Sequence, residues 1–181
     1  CDVTNDNDVA KFTRSVKRKW GRVDVLINNA GIASMNHILT MPSKKASQII
    51  QTNFIGTFNF VREVSKIMIS QKKGRIVNMS TVAVPMNLSG EAVYAASKSA
   101  VESFTRIAAF ELGEFGITIN TLAPTPTETD LIKNVPQDKI DTILKKLGVM
   151  RLGTFEDIVN VINFYISDKS SYISGQTIYL G

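Results

Sequence analysis

Apolar and polar positions change their period repeatedly along this chain, and each change marks an element. Asp8 to Trp20 has the pattern of a helix, with Asn5, Asp6 or Asn7 as its cap and Gly21 as its stop. Val23 to Asn28, VDVLIN, is a short apolar strand. Ser43 to about Gln71 has helical spacing as one long helix or two joined ones. Its inner side carries Ile49, Ile50, Phe54, Phe58, Val61, Val64 and Met68, and Gly74 closes it. Arg75 to Ser80 is a strand, Ala92 to Phe115 a helix stopped by Gly116, and Ile117 to Ala123 a strand. Lys139 to Lys146 and Glu156 to Ile166 are further helices, and Gln176 to Leu180 is the last strand.

Strands alternating with helices of this length predict an α/β fold built on a doubly wound parallel sheet, Rossmann-like in type. There is no repeat, low-complexity tract or Pro/Gly/Ser linker, so residues 1–181 form a single domain. In such sheets ligands bind beyond the carboxyl ends of the strands. Three predicted strand ends carry polar groups, in NNAG (28–31), MST (79–81) and APTPTETD (123–130).

Composition narrows the classes. The chain is 44% hydrophobic and 20% charged, as soluble domains are. No apolar run approaches the length of a membrane span, and no signal-peptide pattern opens the sequence, so the expectation is no membrane partner and a cytoplasmic location. Cys1 is the sole cysteine, which rules out an internal disulfide and fits a reducing compartment. The net charge is +5, with the densest basic run at Arg14, Lys17, Arg18, Lys19 and Arg22 on the first helix. No aromatic interleaving or nucleic-acid motif accompanies that run, so a solvated helix face is the expectation and no nucleic-acid partner is inferred. The single histidine, His37, has no partner pattern and reads as a loop residue. No metal-ligand cluster is present. Trp20 and the phenylalanines at 54, 58, 60, 104, 110 and 164 suit a core or helix interfaces better than a stacking platform.

The chemistry starts at VYAASKSA, residues 93–100. Tyr94 and Lys98 are four apart, so a helix puts them on one face. A phenol titrates near ~10, and an ammonium beside it favours the phenolate. Tyr94 could then give a proton to a carbonyl oxygen, or take one from an alcohol, near neutral pH. Such a pair arises by chance on many helices. Thr81 and Ser80 at a strand end, Asn53 in the long helix and Asn28 opening NNAG add a polar set around it.

At these residues the sequence resembles the short-chain dehydrogenase/reductase family. The matching pieces are DV (2–3), NNAG (28–31), QTN (51–53), NMST (78–81), YAASK (94–98), ITINTLAP (117–124) and SGQTIYL (174–180). Within that family it looks most like the 3-oxoacyl-[acyl-carrier-protein] reductase type. The resemblance implies an oxidoreductase that uses NADP or NAD on a small-molecule ketone or secondary alcohol. It implies that Tyr94 is the general acid/base, that Lys98 lowers its pKa and binds the nicotinamide ribose, and that Thr81 orients the carbonyl where the family usually has serine. Asn53 would hold a helix kink whose carbonyl anchors a water. Asn28, Asn29, Ala30 and Gly31 would line the adenosine ribose, and Asp2 and Val3 the adenine. Pro124 to Thr129 would flank the nicotinamide, with Thr127 near its carboxamide and Thr129 near the pyrophosphate. Hydride transfer belongs to the cofactor, and the protein positions it and moves the proton.

The sequence also departs from the family pattern. The glycine-rich turn expected two strand–helix units before Asp2 does not occur, so the fold is expected to be N-terminally incomplete, with one sheet edge unpaired or covered by a partner. Thr81 adds a β-branched methyl where serine is usual. Thr125 stands where the family usually has glycine and is expected either to crowd the nicotinamide side or to alter the loop. The resemblance further implies a homo-oligomer, tetramer or dimer, pairing through the helices at 43–71 and 92–115. Residues 131–152, with Ile132, Val135, Ile140, Ile143 and Leu147, resemble a mobile substrate lid but suit a packed helix equally well. The alternative to an enzyme is a non-catalytic truncated family member that serves as an oligomer subunit.

Overall fold

The computed structural model describes residues 1–127 and 137–181. Its centre is a four-stranded sheet of β1 (Val25–Asn28), β2 (Gly74–Met79), β3 (Ile117–Ala123) and β4 (Thr177–Tyr179). The order is β1-β2-β3-β4 and each neighbouring pair is parallel. Asn28 stands opposite Asn78, and Met79 opposite Leu122. The carboxyl ends of β1, β2 and β3 therefore share one edge, as their polar endings predicted.

The sheet is covered on both faces, and its central strands are buried along nearly their whole length. In β2, Ile76 joins a core with Val61, Val64 and Met68 from α3 (Gly56–Gln71) and Ala108 and Ala109 from α5 (Ala92–Gly113). The next residue, Val77, points the other way and meets Leu122 and Tyr165, the latter from α7 (Phe155–Ile166). This alternation of faces along one strand produces the layered α/β arrangement. Among the described residues β1 pairs only with β2, and its Val25 and Ile27 side chains are exposed.

Helix α1 (Asp6–Trp20) starts two residues earlier than expected, because the Asn5 side chain accepts from the backbone N–H groups of Asn7 and Asp8. Gly21 ends it at φ 77°, in left-handed backbone that suits glycine. The long helix at 43–71 is continuous but not uniform. It runs as α2 (Ser43–Ile50), one π-helical turn over Gln51–Ile55, and α3. Two short elements escape sequence patterning: α4 (Ala83–Met86) and a 3₁₀ turn at Asp168–Ser170. Helix α6 (Gln137–Leu144) begins before the expected Lys139.

Several core expectations need correction. Trp20 is two-thirds exposed at 68%, with the Lys19 ammonium over its ring, and Phe110 is 85% exposed. Phe54, Phe58 and Phe104 do form an edge-to-face cluster between helices. Ile140, Ile143 and Leu147 are buried, as a packed helix requires, while Ile132 and Val135 lie outside the described residues. Arg14, Lys17, Arg18, Lys19 and Arg22 are all exposed, the solvated face expected of them.

Candidate active site

Four successive residues at the end of β2 meet one stripe of α5. Asn78 Nδ2 donates to the Thr105 hydroxyl at 2.9 Å. Lys98 Nζ donates to the Met79 carbonyl at 2.8 Å. Ser80 Oγ donates to Glu102 Oε1 at 2.5 Å. The Thr81 hydroxyl lies beside the Tyr94 phenol, whose titration it pulls down, and accepts from the Ala83 N–H at 3.2 Å. Tyr94, Lys98, Glu102 and Thr105 lie one helical turn apart on the same face, so helical periodicity alone aligns them. Asn78 also accepts from Asn28 Nδ2 at 2.8 Å, which ties the end of β1 into the same polar seam.

Asn53 enters from the π-helical turn and is fully buried. Its Oδ1 accepts from the Ile32 N–H at 2.8 Å, and its Nδ2 donates to the Ile32 carbonyl and to Ser97 Oγ, both at 2.9 Å. Ser97 in turn donates to the Tyr94 carbonyl. One carboxamide thus clamps the loop after β1 to the helix that carries Tyr94 and Lys98. The kink expected at Asn53 is this π turn, a common device at functional sites. Its carbonyl accepts from the Thr57 hydroxyl at 2.8 Å.

Gly31 lies between these groups. A side chain there would place its Cβ 3.4 Å from both Lys98 Nζ and Asn53 Oδ1. Glycine there leaves room beside the otherwise buried ammonium, on the side of the loop that holds Asn29 and Ala30, both exposed. Asp2 and Val3 sit beyond the loop. The Asp2 carboxylate accepts from the Thr4 backbone and hydroxyl, which hold it below its usual range. Val3 packs against Gly56, where a Cβ would come within 2.6 Å of it, and its carbonyl accepts from Asn59 Nδ2. An open cleft of about 460 Å³ is lined by Asp2, Thr4, Ile32, Ser47, Gln48, Gln51 and Thr52.

On the far side, the Pro124 carbonyl accepts from Val82 N–H. Thr127 is buried, donates to the Thr125 carbonyl and bridges to Gly153. Thr125 does not crowd an open site: it is buried against two glycines. A Cβ at Gly153 would fall 2.7 Å from its Oγ1, and one at Gly181 2.7 Å from its Cγ2. Thr129 lies outside the described residues. His37 is exposed, and its Nδ1 accepts from Leu39 N–H within its own turn.

The electrostatics differ from the expectation that Lys98 lowers the phenol. Burial pushes Tyr94 up to about 12, the Thr81 hydrogen bond opposes the rise, and the Glu91 carboxylate adds to it. Burial alone brings Lys98 down to about 8. The ammonium is turned to the Met79 carbonyl rather than spent on the phenol. Tyr94 is consequently a protonated donor at neutral pH. Glu102, Glu91 and Ser97 escaped the sequence reading, although Glu102 falls four residues after Lys98 and eight after Tyr94, a signal that helical spacing carries.

A parallel sheet with a phenol, a hydroxyl, an ammonium and a bare glycine backbone at its carboxyl edge defines a Rossmann-like α/β oxidoreductase frame. Comparison with known proteins agrees. The family described as Enoyl-(Acyl carrier protein) reductase matches residues 1–180. The 3-oxoacyl-[acyl-carrier-protein] reductase FabG of Staphylococcus epidermidis (strain ATCC 35984) is 36% identical over 179 residues, covering 99% of this chain and 73% of that protein. Those of Vibrio cholerae and Escherichia coli K12 are 33% and 32% identical over the same shares. The chain belongs to the short-chain dehydrogenase/reductase family of NAD(P)-dependent oxidoreductases, on its 3-oxoacyl-[acyl-carrier-protein] reductase-like side. Among the described residues no helix is long and apolar enough to cross a membrane, and no group of His, Cys, Asp and Glu could hold a metal.

Proposed function

We propose that this protein reduces a ketone with NADPH or NADH, and that the ketone is a 3-oxoacyl thioester. The observation that carries the reading is the convergence of Thr81, Tyr94, Lys98 and Asn53 at the carboxyl end of β2. The nicotinamide, when bound, supplies the hydride. The chain's own residues supply the rest. Tyr94 is the general acid: with its phenol raised to about 12, it keeps its proton at neutral pH until the carbonyl oxygen gains charge. Thr81, beside the same phenol, holds that oxygen next to it. Lys98 gives one N–H to Met79, and the Gly31 backbone, with no side chain beside Nζ, is where ribose hydroxyls would meet its other donors. Gly31, Ala30, Asn29, Val3 and Asp2 are assigned to the adenosine, Asp2 from the wall of the open cleft, and Pro124 and Thr127 to the opposite side, with Thr129 assigned there by resemblance.

The family description speaks of enoyl reduction, the relatives of 3-oxoacyl reduction. The ketone is favoured because two hydroxyl groups meet at one point, the place an oxygen would receive its proton.

The test is a fluorescence titration of the chain with NADPH and NADH, then turnover of an acetoacetyl thioester by the parent and by Tyr94→Phe. Saturable binding, turnover by the parent and loss of at least ~100-fold in the variant, at an unchanged circular-dichroism spectrum, are expected. Equal turnover by parent and variant would overturn the role of Tyr94. A folded chain that binds neither nucleotide would favour a non-catalytic oligomer subunit.

A further inference from the structure

Two hydroxyls, Ser80 and Thr81, stand side by side at the end of β2, and only one of them faces Tyr94. Ser80 is buried, its N–H continues the sheet ladder to the Leu122 carbonyl at 2.7 Å, and its hydroxyl goes to Glu102. Glu102 is itself only 6% exposed. Its other oxygen, Oε2, accepts from the Tyr179 hydroxyl on β4 at 2.8 Å. One buried carboxylate therefore joins β2, α5 and β4 immediately beside the candidate site.

A buried carboxylate is costly unless its hydrogen bonds are made, and hydroxyl-to-carboxylate bonds are short and strong. Ser80 is thereby fixed in one orientation. The end of β2 runs alongside α5, so with Ser80 tied to Glu102 the next residue, Thr81, falls beside Tyr94, two helical turns back along the same face. We propose that Glu102 is a positioning residue. Through Ser80 it locks the end of β2 in the register that makes Thr81, and not Ser80, the hydroxyl offered to the substrate oxygen. The proposal rests on the reading that Thr81 faces the substrate.

The test uses the full chain, isotope-labelled, and reads the Thr81 side-chain rotamer from three-bond couplings to its methyl carbon. The parent should show a single rotamer. Glu102→Ala should show averaged couplings, and Glu102→Gln should keep the single rotamer, because its amide oxygen still accepts from Ser80. Ser80→Ala keeps the carboxylate and its Tyr179 partner, so it gives the same reading should Glu102→Ala fail to fold, and it too should average the Thr81 couplings. Unchanged Thr81 couplings in the folded Ala variants would overturn the proposal. In turnover, Glu102→Ala should lower kcat by ~10-fold or more with KM held within ~2-fold, and Glu102→Gln should restore most of it. A parent chain with no turnover would defeat the functional reading and leave the couplings to decide this one.

Discussion

Replacing Asn53 by alanine gives the sharpest quantitative test of the clamp between the β1 loop and α5. The carboxamide makes three hydrogen bonds, to the Ile32 N–H, the Ile32 carbonyl and Ser97 Oγ, from a position with no solvent exposure. A donor stripped of its partner away from water costs about 1–3 kcal/mol, and a carbonyl or hydroxyl that keeps other options costs less. Ser97 still donates to the Tyr94 carbonyl, so its loss is small. The Ile32 pair dominates. With the small void left behind, the sum is about 3 kcal/mol. A domain of this size unfolds in urea with a slope of about 2–3 kcal/mol per molar, so the midpoint should fall by about 1 M. Urea titration followed by circular dichroism reads this directly. Ser97→Ala should move the midpoint by less than half as much. A fall of under ~0.3 M for Asn53→Ala, at unchanged slope, would show that the loop is held by something other than this side chain.

Lys98 links the site to pH. Burial holds it at about 8 in the folded chain, below the 10.5 of a free lysine, so the folded state releases the proton first. Stability should therefore rise with pH between about 8 and 10.5, and Lys98→Met should lose that rise when urea midpoints at pH 7 and pH 9.5 are compared. Tyr94 works in the opposite sense: raised from 10.0 to about 12, it contributes stability below pH 10 that is lost as pH climbs towards 12. A midpoint difference between the two pH values identical in parent and Lys98→Met would refute the lysine assignment. Gly31→Ala should leave global stability within about 0.5 kcal/mol, since its Cβ meets only side-chain atoms at 3.4 Å, yet weaken nucleotide binding on titration. Unaltered binding would place the nucleotide away from Gly31.

The carboxyl edge of the sheet was legible because strand–helix alternation and polar strand endings are local signals. Ile76 and Val77 are adjacent apolar residues in one strand, so their side chains take opposite faces and both faces must be covered. Tyr94 and Lys98 share a face by helical period alone. Tertiary structure decided what those side chains touch. The lysine reaches the Met79 carbonyl and the phenol is raised by burial, because desolvation depends on what packs around a group and not on its neighbours in sequence. The π turn at Asn53 follows from contacts with Ile32, 21 residues away, and Ser97, 44 residues away. Thr125 looked like an obstruction until Gly153 and Gly181 made room for it. The sequence by itself determined the main strands and helices and the parallel type of the sheet. Which hydroxyl faces Tyr94, and which carboxylate fixes the other, was settled only when β2, α5 and β4 came together, because those contacts join residues 22 and 77 positions apart.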